Sequence, residues 1–349
     1  HRDLHSFPTR RSSDLIVKKT NDYSNLIDSI GDLLSIARQT SYKQINNLLV
    51  RTNWEIGRQI VEFEQKGQEK AEYGSNLLNI LSRDLTSKYG KGFSRRNVLD
   101  MRRFYICFSI WQTVSAELSW SHYSTIISVG NELARSFYEK QCINEKWSVR
   151  ELRRHIDTAL FERIALSKKP DEVYLISKKG LVVSSPDDLI KDPYVFEFLN
   201  IPKPYKISEK VLESKLIENL QKFILELGKG FAFIARQYRI PISNDNFYVD
   251  LVFYHRILKC FVLIDLKIGK ANHQDIGQMN MYLNYFKAEE SEPDDNEPIG
   301  IILAADKNDV LIEYALGGIS NKLFISKYKL YLPDKKQLEE KIKYFMKDV

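Results

Sequence analysis

One stretch in the C-terminal half constrains the fold most, because it sets charged side chains within apolar, strand-forming sequence. Two runs of β-branched and aromatic residues, 247–253 and 260–268, predict strands joined by a short basic turn. Side chains alternate between the two faces of a strand, so Asp265 and Lys267 lie side by side on one face. If the strands pair as a hairpin, Asp250 lies next to Asp265. The sequence therefore predicts a sheet that gathers two carboxylates and an amine.

A purely structural interpretation of these charges competes with a functional one. An Asp-x-Lys pair in a strand is commonly a solvated ion pair worth less than about 1 kcal/mol. Here, however, the other face of the second strand is wholly apolar, which predicts a central strand covered on both sides. Burying charges there is costly unless a partner or an ion compensates. We therefore favour a functional site.

These residue types suit a hard divalent cation. Mg²⁺ prefers oxygen ligands and keeps several waters, so Asp250 and Asp265 suffice to hold Mg²⁺ (or Mn²⁺). Such an ion stabilises charge on a phosphodiester and lowers the pKa of an attacking water, and Lys267 can orient that water. Structural zinc is disfavoured because the three cysteines contain no CxxC pair; they are Cys107, Cys142 and Cys260.

The pattern Asp250…Asp265-Leu-Lys267 resembles the PD-(D/E)XK nuclease superfamily. A resemblance to the YhcG family of nucleases within it is carried by the string GKGFAFIARQYRIPISNDNFYVDLVFYHRILKCFVLIDLKIGKANHQDIGQMNMYLNYF. The resemblance implies that Asp250 and Asp265 are metal ligands, that Lys267 is the catalytic lysine, and that the Leu266 carbonyl completes the metal site. The chain departs from the superfamily pattern in lacking a proline before Asp250 and in using aspartate at residue 265. Neither departure removes a ligand type.

The helix predicted after the third strand carries Gln278 and Tyr282, which lie four residues apart and so share a helical face. Packing alone can explain such a pair. The pair also resembles the QxxxY element of some of these nucleases, which faces the active site. The resemblance implies a catalytic supporting role for both residues.

The helix predicted at 211–227 adds a third carboxylate. At 100° per residue Glu213 falls inside the apolar stripe of this helix, whereas Glu218 and Glu226 lie outside it. Members of the superfamily carry a first-helix glutamate near the metal, and Glu213 resembles that residue. The alternative, a glutamate favoured near the helix start by the helix dipole, stays open.

The length of 349 residues predicts an α+β protein of two domains. Residues 1–15 lack helical or strand periodicity, and we expect them to be a translated sequencing-adapter artefact. Residues 16–166 predict an all-α, winged-helix-like domain, with helix candidates at 23–39, 43–66, 72–89, 94–110, 121–128, 130–142 and 148–165. Residues 167–206 predict an ordered connector. Residues 207–349 predict an α/β, restriction-endonuclease-like PD-(D/E)XK domain with a mixed central sheet, whose last elements are a strand at 299–304, a helix at 309–316, a strand at 322–327 and a final helix.

Basic side chains mark two candidate nucleic-acid contacts. Ser94 can cap a helix on which four guanidiniums share one side, namely Arg95, Arg96, Arg102 and Arg103. Guanidinium is well suited to phosphate, and a glycine-containing turn before this helix resembles helix-turn-helix geometry. His255 and Arg256, in the hairpin turn, are also predicted to touch phosphate. The alternative for each is a solvated charged surface.

The composition of the whole chain indicates which partners and which cellular compartment suit the protein. The net charge of +6 is mildly basic and compatible with nucleic acid. No run of about 18 apolar residues predicts a membrane span. Three cysteines without an evident pairing favour a reducing, cytoplasmic compartment. The strings LSWSHYSTIISV and EKWSVRELRRHI resemble the N-terminal domain of YhcG-like proteins, so the resemblance extends from about residue 20 onward.

The sequence thus predicts a metal-dependent DNA endonuclease. The order of elements also resembles archaeal Holliday-junction resolvases, which suggests branched or structured DNA by fold-level analogy. Two alternatives stay open: an inactive nuclease-fold module that holds DNA, and an RNA-directed nuclease or effector. The lack of an RNP1-like aromatic string favours DNA. A homodimer is suggested because cutting two strands needs two sites.

Overall fold

The computed structural model describes residues 12–66, 76–110, 114–115, 117–166, 168–202, 207–332 and 334–345, without the side chains of 12–22, 309–311 and 343–345. The chain divides into two compact units, one ending at Ile127 and the other beginning at Ser128. Among the described residues, no helix has the length and apolar character needed to cross a bilayer.

The described residues of the first unit form helices and turns. The helices are α1 (Ser12–Lys66), α2 (Leu77–Tyr89), α3 (Arg95–Cys107) and α4 (Trp120–Ile126). The predicted helices 23–39 and 43–66 are one continuous helix, because no glycine or proline separates them. The predicted cap is present, since the Ser94 side chain accepts a hydrogen bond from the Asn97 N–H. Residues 72–75 of the helix predicted at 72–89 lie outside the described residues.

The second unit begins with helices that precede the sheet. These are α5 (Glu132–Glu145), α6 (Val149–Asp157), α7 (Leu160–Ala165) and α8 (Pro170–Lys179). The single helix predicted at 148–165 is broken, because Ala159 has a left-handed φ of 52° between α6 and α7. The predicted connector contains α8 and a two-residue strand, β1 (Tyr194–Val195), which joins the sheet. Residues 203–206 of the connector lie outside the described residues.

The remaining elements complete a six-stranded mixed sheet. They are α9 (Glu209–Glu218), α10 (Leu220–Leu227), β2 (Phe231–Ile242), β3 (Asp245–His255), β4 (Cys260–Lys270), α11 (His273–Tyr285), β5 (Ile299–Asp306), α12 (Asp309–Leu316), β6 (Lys322–Lys329) and α13 (Lys335–Phe345). The strand order is β1-β6-β5-β4-β3-β2, with β2, β3 and β4 antiparallel and the other pairs parallel. The predicted fold class is confirmed, although the helix predicted at 211–227 is divided at Asn219.

Both faces of the sheet are covered, so β4 is central as predicted. On one face Leu251 and Ile264 belong to a core completed by side chains from α9 and α10. On the other face Leu263 belongs to a core completed by α11. Gly300 on β5 lets α11 lie close, because a Cβ there would meet the Met279 side chain at 2.7 Å. The middle of β4, where Asp265 lies, is therefore enclosed on both sides.

Candidate active site

The β3–β4 hairpin brings the two predicted aspartates together. Leu251 pairs with Ile264, so one step further along the same register Asp250 lies opposite Asp265. The Leu266 N–H donates to Asp250 Oδ2 at 2.8 Å, so the Asp250 side chain is fixed against the β4 backbone. Asp265 is only 4% exposed. Burial first, and the nearby Asp250 charge second, raise the pKa of Asp265 to about 7.

Lys267 completes this cluster from the next position on the same face of β4. Its Nζ lies 2.9 Å from Asp265 Oδ2 and 3.6 Å from Asp275 Oδ1 on α11. Burial of the amine opposes its charge, but the Asp265 carboxylate outweighs burial and raises the pKa of Lys267 above its usual value. The amine is therefore positively charged at neutral pH, next to two acids that share a buried environment.

Glu213 reaches the same cluster from α9. The residue is 3% exposed, as the apolar stripe predicted. Burial first and then Asp250 raise the pKa of Glu213 above its usual value. Glu213 Oε2 accepts a hydrogen bond from Gln237 at 2.9 Å, whereas Oε1 is buried without a hydrogen bond and lies 3.4 Å from Arg236 Nε. One carboxylate oxygen thus lacks the hydrogen bond that burial ordinarily requires.

Gln237 on β2 is a residue of this cluster that the sequence did not reveal. Its Nε2 donates to Glu213 Oε2 and to Asp250 Oδ1, each at 2.9 Å. Its backbone φ is 49°, an uncommon conformation for a residue with a long side chain. No periodicity marks a glutamine in a strand as special. The only signal was its place in the string that carried the family resemblance.

Gln278 and Tyr282 lie on α11, as predicted, and contact each other. The Gln278 amide donates to the Tyr282 hydroxyl, which in turn donates to the Tyr248 carbonyl of β3 at 3.1 Å. Tyr282 is fully buried. Burial first raises the pKa of Tyr282, and the Asp265 charge adds to the increase. The pair therefore connects α11 to the strand that carries Asp250.

The oxygen donors of this cluster fit a hard divalent cation in type. Asp250, Asp265 and Glu213 are carboxylates, and the Glu213 Oε1 atom has no hydrogen-bond donor. Among the described residues, however, no three acidic, imidazole or thiol groups converge closely enough to hold an ion as they stand. Gln237 lies between two of the carboxylates.

Some of the residues predicted to contact phosphate are exposed, whereas others already contact groups within the chain. Arg95, Arg96 and Arg103 on α3 are exposed, whereas Arg102 is half-buried and its Nε lies 2.7 Å from Glu64 on α1. Arg256 is exposed in the hairpin turn.

His255 was predicted to touch phosphate, but the structure shows that it is fully buried. Its Nδ1 accepts from the Leu258 N–H at 3.2 Å and its Nε2 contacts the Lys229 carbonyl at 3.0 Å. Both ring nitrogens are therefore engaged within the chain, and burial lowers the pKa of the imidazole. We correct the expectation: the imidazole holds the hairpin against the loop before β2 and is not presented to phosphate.

The fold and the cluster together define the class of protein. A mixed sheet with helices on both faces carries Asp250 on one strand and the Asp265-x-Lys267 element on the next, which is the arrangement of a PD-(D/E)XK nuclease domain. The expectation from the sequence is confirmed at this level.

Comparisons with known proteins give the family. Residues 187–343 match the "YhcG PDDEXK nuclease domain" and residues 29–163 match the "DUF1016 N-terminal domain". The chain is 41% identical over 355 residues to "Putative nuclease YhcG" of Escherichia coli (strain K12), which covers 93% of this chain and 94% of that protein. The chain belongs to the YhcG family of nucleases.

Two solved structures match part of the chain. A repair endonuclease from Pyrococcus abyssi is 24% identical with a TM-score of 0.27, and the match covers 38% of this chain and 50% of that chain. A complex of EndoMS with double-stranded DNA is 17% identical with a TM-score of 0.26, over 38% of this chain and 50% of that chain. The matched part spans about half of each of these chains.

Proposed function

We propose that this protein is a Mg²⁺- or Mn²⁺-dependent endonuclease that hydrolyses phosphodiester bonds in DNA. The observation that carries the proposal is the contact of the Lys267 amine with Asp265, directly beside Asp250, inside a covered sheet. Buried charges of this kind are retained where they perform chemistry. The Glu213 carboxylate next to Asp250 supplies a third oxygen ligand.

Each residue has a role that follows from its position. Asp250, Asp265 and Glu213 hold the cation, which supplies charge stabilisation at the phosphate and a more acidic bound water. Lys267 keeps its proton and presents positive charge to the reacting oxygens. Gln278 and Tyr282 fix β3 through the Tyr248 carbonyl, so they hold Asp250 in position. Asp265, whose pKa burial raises to about 7, would have to release its proton to act as a ligand.

DNA is the proposed substrate, and branched or structured DNA the proposed preference within that class. The mildly basic net charge and the exposed side chains of Arg95, Arg96, Arg103 and Arg256 support phosphate contact. We place the activity in the cytoplasm, because Cys107, Cys142 and Cys260 are free thiols, which persist under reducing conditions.

The test is cleavage of labelled linear, single-stranded and four-way-junction DNA, and of matching RNA, in Mg²⁺, Mn²⁺ or EDTA. We expect metal-dependent DNA cleavage by the wild type and at least a hundredfold loss in Lys267→Ala, because the loss of a transition-state charge is typically of that order. Lys270→Ala is the matched control: Lys270 ends the same strand but is exposed and lies beside Asp306.

Three results would change the proposal. Binding of DNA without cleavage under every metal condition would leave a DNA-holding module. Preferential cleavage of RNA would reassign the substrate. Equal activity of Lys267→Ala and Lys270→Ala would remove the lysine from the mechanism.

A further inference from the structure

The long helix α1 has a face that the described residues do not cover. At about 1.5 Å per residue its 55 residues extend roughly 80 Å. Its C-terminal part is anchored, since Val50, Gly57 and Ile60 are buried and Gly57 lies against the Met101 backbone of α3. Between residues 23 and 49 every side chain is exposed apart from the half-buried Asn46. About half of the helix is therefore left uncovered by the part of the chain that the structure describes.

The uncovered face carries an apolar stripe that is interrupted at Arg38 and Ser41. At 100° per residue, eight large side chains fall within about 80° of one another: Tyr23, Ile27, Ile30, Leu34, Ile45, Leu48, Ile56 and Phe63. The steps between them are three or four residues or their sums, so the stripe follows one side of a straight helix. Near its C-terminal end the stripe borders a groove of about 700 Å³ that Leu77, Leu81 and Leu85 of α2 also line. The stripe thus runs along both the anchored and the uncovered parts of α1.

The size of this surface is that of a dimer interface. A stripe of 41 residues is about 60 Å long and one helix, about 10 Å, wide, so it presents roughly 600 Å² per chain. Two copies facing each other would bury about 1,200 Å², within the range of specific interfaces. The charges beside the stripe alternate in sign, as in Arg51, Glu55, Arg58 and Glu62, so a like copy is not repelled.

We propose that α1 packs against α1 of a second copy of this chain along this stripe, so that the protein is a homodimer. A second copy buries both stripes at once, because a two-fold interface uses the same surface on each partner. A rigid helix cannot fold back onto its own stripe. The proposal is independent of the nuclease function, although a dimer also supplies two sites for two strands.

The test is the molar mass in solution at micromolar concentrations, measured by light scattering after size exclusion. We expect a dimer for the wild type and a monomer for the double variant Ile30→Asp/Leu34→Asp. The control Ser29→Asp/Asn47→Asp adds the same charge on the opposite side of α1 and should stay dimeric. Circular dichroism confirms that each variant is folded. A monomeric wild type, or a stripe variant that stays dimeric, overturns the proposal.

A second, independent observation concerns Gln237. Its position between the pairs Arg236–Leu251 and Tyr238–Val249 puts it opposite Asp250 on the neighbouring strand. A single amide nitrogen donates to both the Glu213 and Asp250 carboxylates at 2.9 Å. The two N–H groups thus meet two negative charges, as a cation would. Gln237 also has a left-handed φ of 49°, which a non-glycine residue adopts only where the surrounding structure enforces it.

We infer that the Gln237 amide is a placeholder for the cation: it holds Glu213 and Asp250 together in the metal-free protein and turns aside when the ion binds. A cation between these carboxylates requires the same lone pairs that now accept the amide hydrogens. Gln237 is therefore a positioning residue that competes with the metal. This inference rests on the proposed metal-dependent function.

Two substitutions at Gln237 that keep a side chain of similar length should change the Tm and the Mn²⁺ affinity in opposite directions. Gln237→Met removes both donors, so we expect a lower Tm in EDTA and a several-fold lower Kd for Mn²⁺. Gln237→Lys supplies a permanent cation, so we expect a higher Tm in EDTA and a several-fold higher Kd. Gln274→Met, at an exposed position on α11, is the control. The Kd is measured calorimetrically without DNA.

The outcomes separate the inference from the function on which it rests. If the wild type binds no Mn²⁺, the metal-dependent function and the placeholder role both fail. If the wild type binds Mn²⁺ but Gln237→Met and Gln237→Lys shift the Kd in the same direction, only the placeholder role fails.

Discussion

Asp265 is the residue whose chemistry depends most on its neighbours. An aspartate in water loses its proton near pH 4. Inside the sheet, burial and the adjacent Asp250 raise the pKa of Asp265 to about 7, although Lys267 opposes the shift. The charged form of this acid is therefore unfavourable in the metal-free protein, and the folded state holds the proton more tightly than the unfolded chain does.

This shift predicts a pH dependence of stability in EDTA. Because the folded pKa of Asp265 lies above its ordinary value, its favourable contribution is complete below about pH 4 and is lost as the pH rises through 7. We expect the wild type to lose up to about 1.4 kcal/mol per pH unit over that interval relative to Asp265→Asn. Urea unfolding at a series of pH values measures this difference. Parallel curves for the two proteins would contradict it.

Single residues also show where sequence reasoning was incomplete. Glu213 was placed on the buried side of its helix by periodicity, and it lies there. His255 was expected at the surface because it neighbours basic residues, yet it is buried between the hairpin and the loop before β2. Gln237 gave no local signal at all. Its importance arises only from a distant helix and a neighbouring strand that bring Glu213 and Asp250 to it.

At the scale of elements, the packing of α1 on α3 depends on one glycine. A Cβ at Gly57 would lie 2.0 Å from the Met101 carbonyl oxygen, a distance that forces the helices apart. Gly31, on the uncovered part of the same helix, has nothing within 4 Å of an added Cβ. The two glycines thus share one helical conformation but have opposite surroundings.

Alanine substitutions at these glycines should therefore act in opposite directions. Gly57→Ala is expected to destabilise the protein by about 1–3 kcal/mol, because it overpacks the α1–α3 contact. Gly31→Ala is expected to stabilise it by up to about 1 kcal/mol, because alanine favours the helix. Thermal unfolding of both variants gives the comparison. Equal Tm shifts would show that the α1–α3 contact is looser than the geometry indicates.

A buried ionic cluster joins α10 to the helices that precede the sheet. Glu226 on α10 is fully buried and lies 2.7 Å from Arg163 and 3.2 Å from Arg154. Burial opposes the charge of this acid, but Arg163, Lys191 and Arg154 outweigh it and lower the pKa of Glu226 to about 2. Helical periodicity placed Glu226 outside the apolar stripe. It is buried nevertheless, because other elements cover that side of α10.

Removal of this charge should be costly at neutral pH. We expect Glu226→Gln to destabilise the protein by about 3–5 kcal/mol, because it leaves buried guanidinium charge uncompensated. The folded pKa of Glu226 is depressed, so this contribution is present above about pH 4.5 and shrinks as the pH falls toward 2. Urea unfolding at pH 7 and at acid pH measures both effects. Glu218→Gln, at an exposed position, is the control, and equal losses in the two variants would contradict the role of the cluster.

For the whole molecule, the distribution of positive charge matters more than its net value of +6. Of the four arginines on α3, Arg102 is neutralised by Glu64, whereas Arg96 and Arg103 have no ion-pair partner among the described residues. A guanidinium without an ion pair can neutralise a phosphate, and so release a counterion from DNA, without first giving up a partner.

The salt dependence of DNA binding tests this difference. We expect Arg96→Ala and Arg103→Ala each to reduce the slope of log K against log salt by about 1, whereas Arg102→Ala leaves the slope nearly unchanged. Fluorescence anisotropy with labelled DNA at several salt concentrations gives the slopes. A reduced slope for Arg102→Ala alone would show that Glu64 releases this arginine on binding.

The sequence pattern was sufficient to predict those features of the structure that residues close together in the chain determine. The hairpin and its alternating faces predicted the contact of Asp265 with Lys267 and the proximity of Asp250, because side-chain alternation and a short turn fix the register. The bounds of α12, 309–316, were predicted as observed. The family resemblance then identified the class of nuclease.

Tertiary structure decided what distant segments bring together. The two-residue strand β1 joins the sheet only because β6 lies beside it, and the break at Ala159 separates a helix that its sequence favours as continuous. The burial of Glu226 and of His255, and the position of Gln237 between two carboxylates, depend on residues tens of positions away. Periodicity reports which face of an element is apolar, but the free energy of a buried charge depends on the partners that the folded chain supplies.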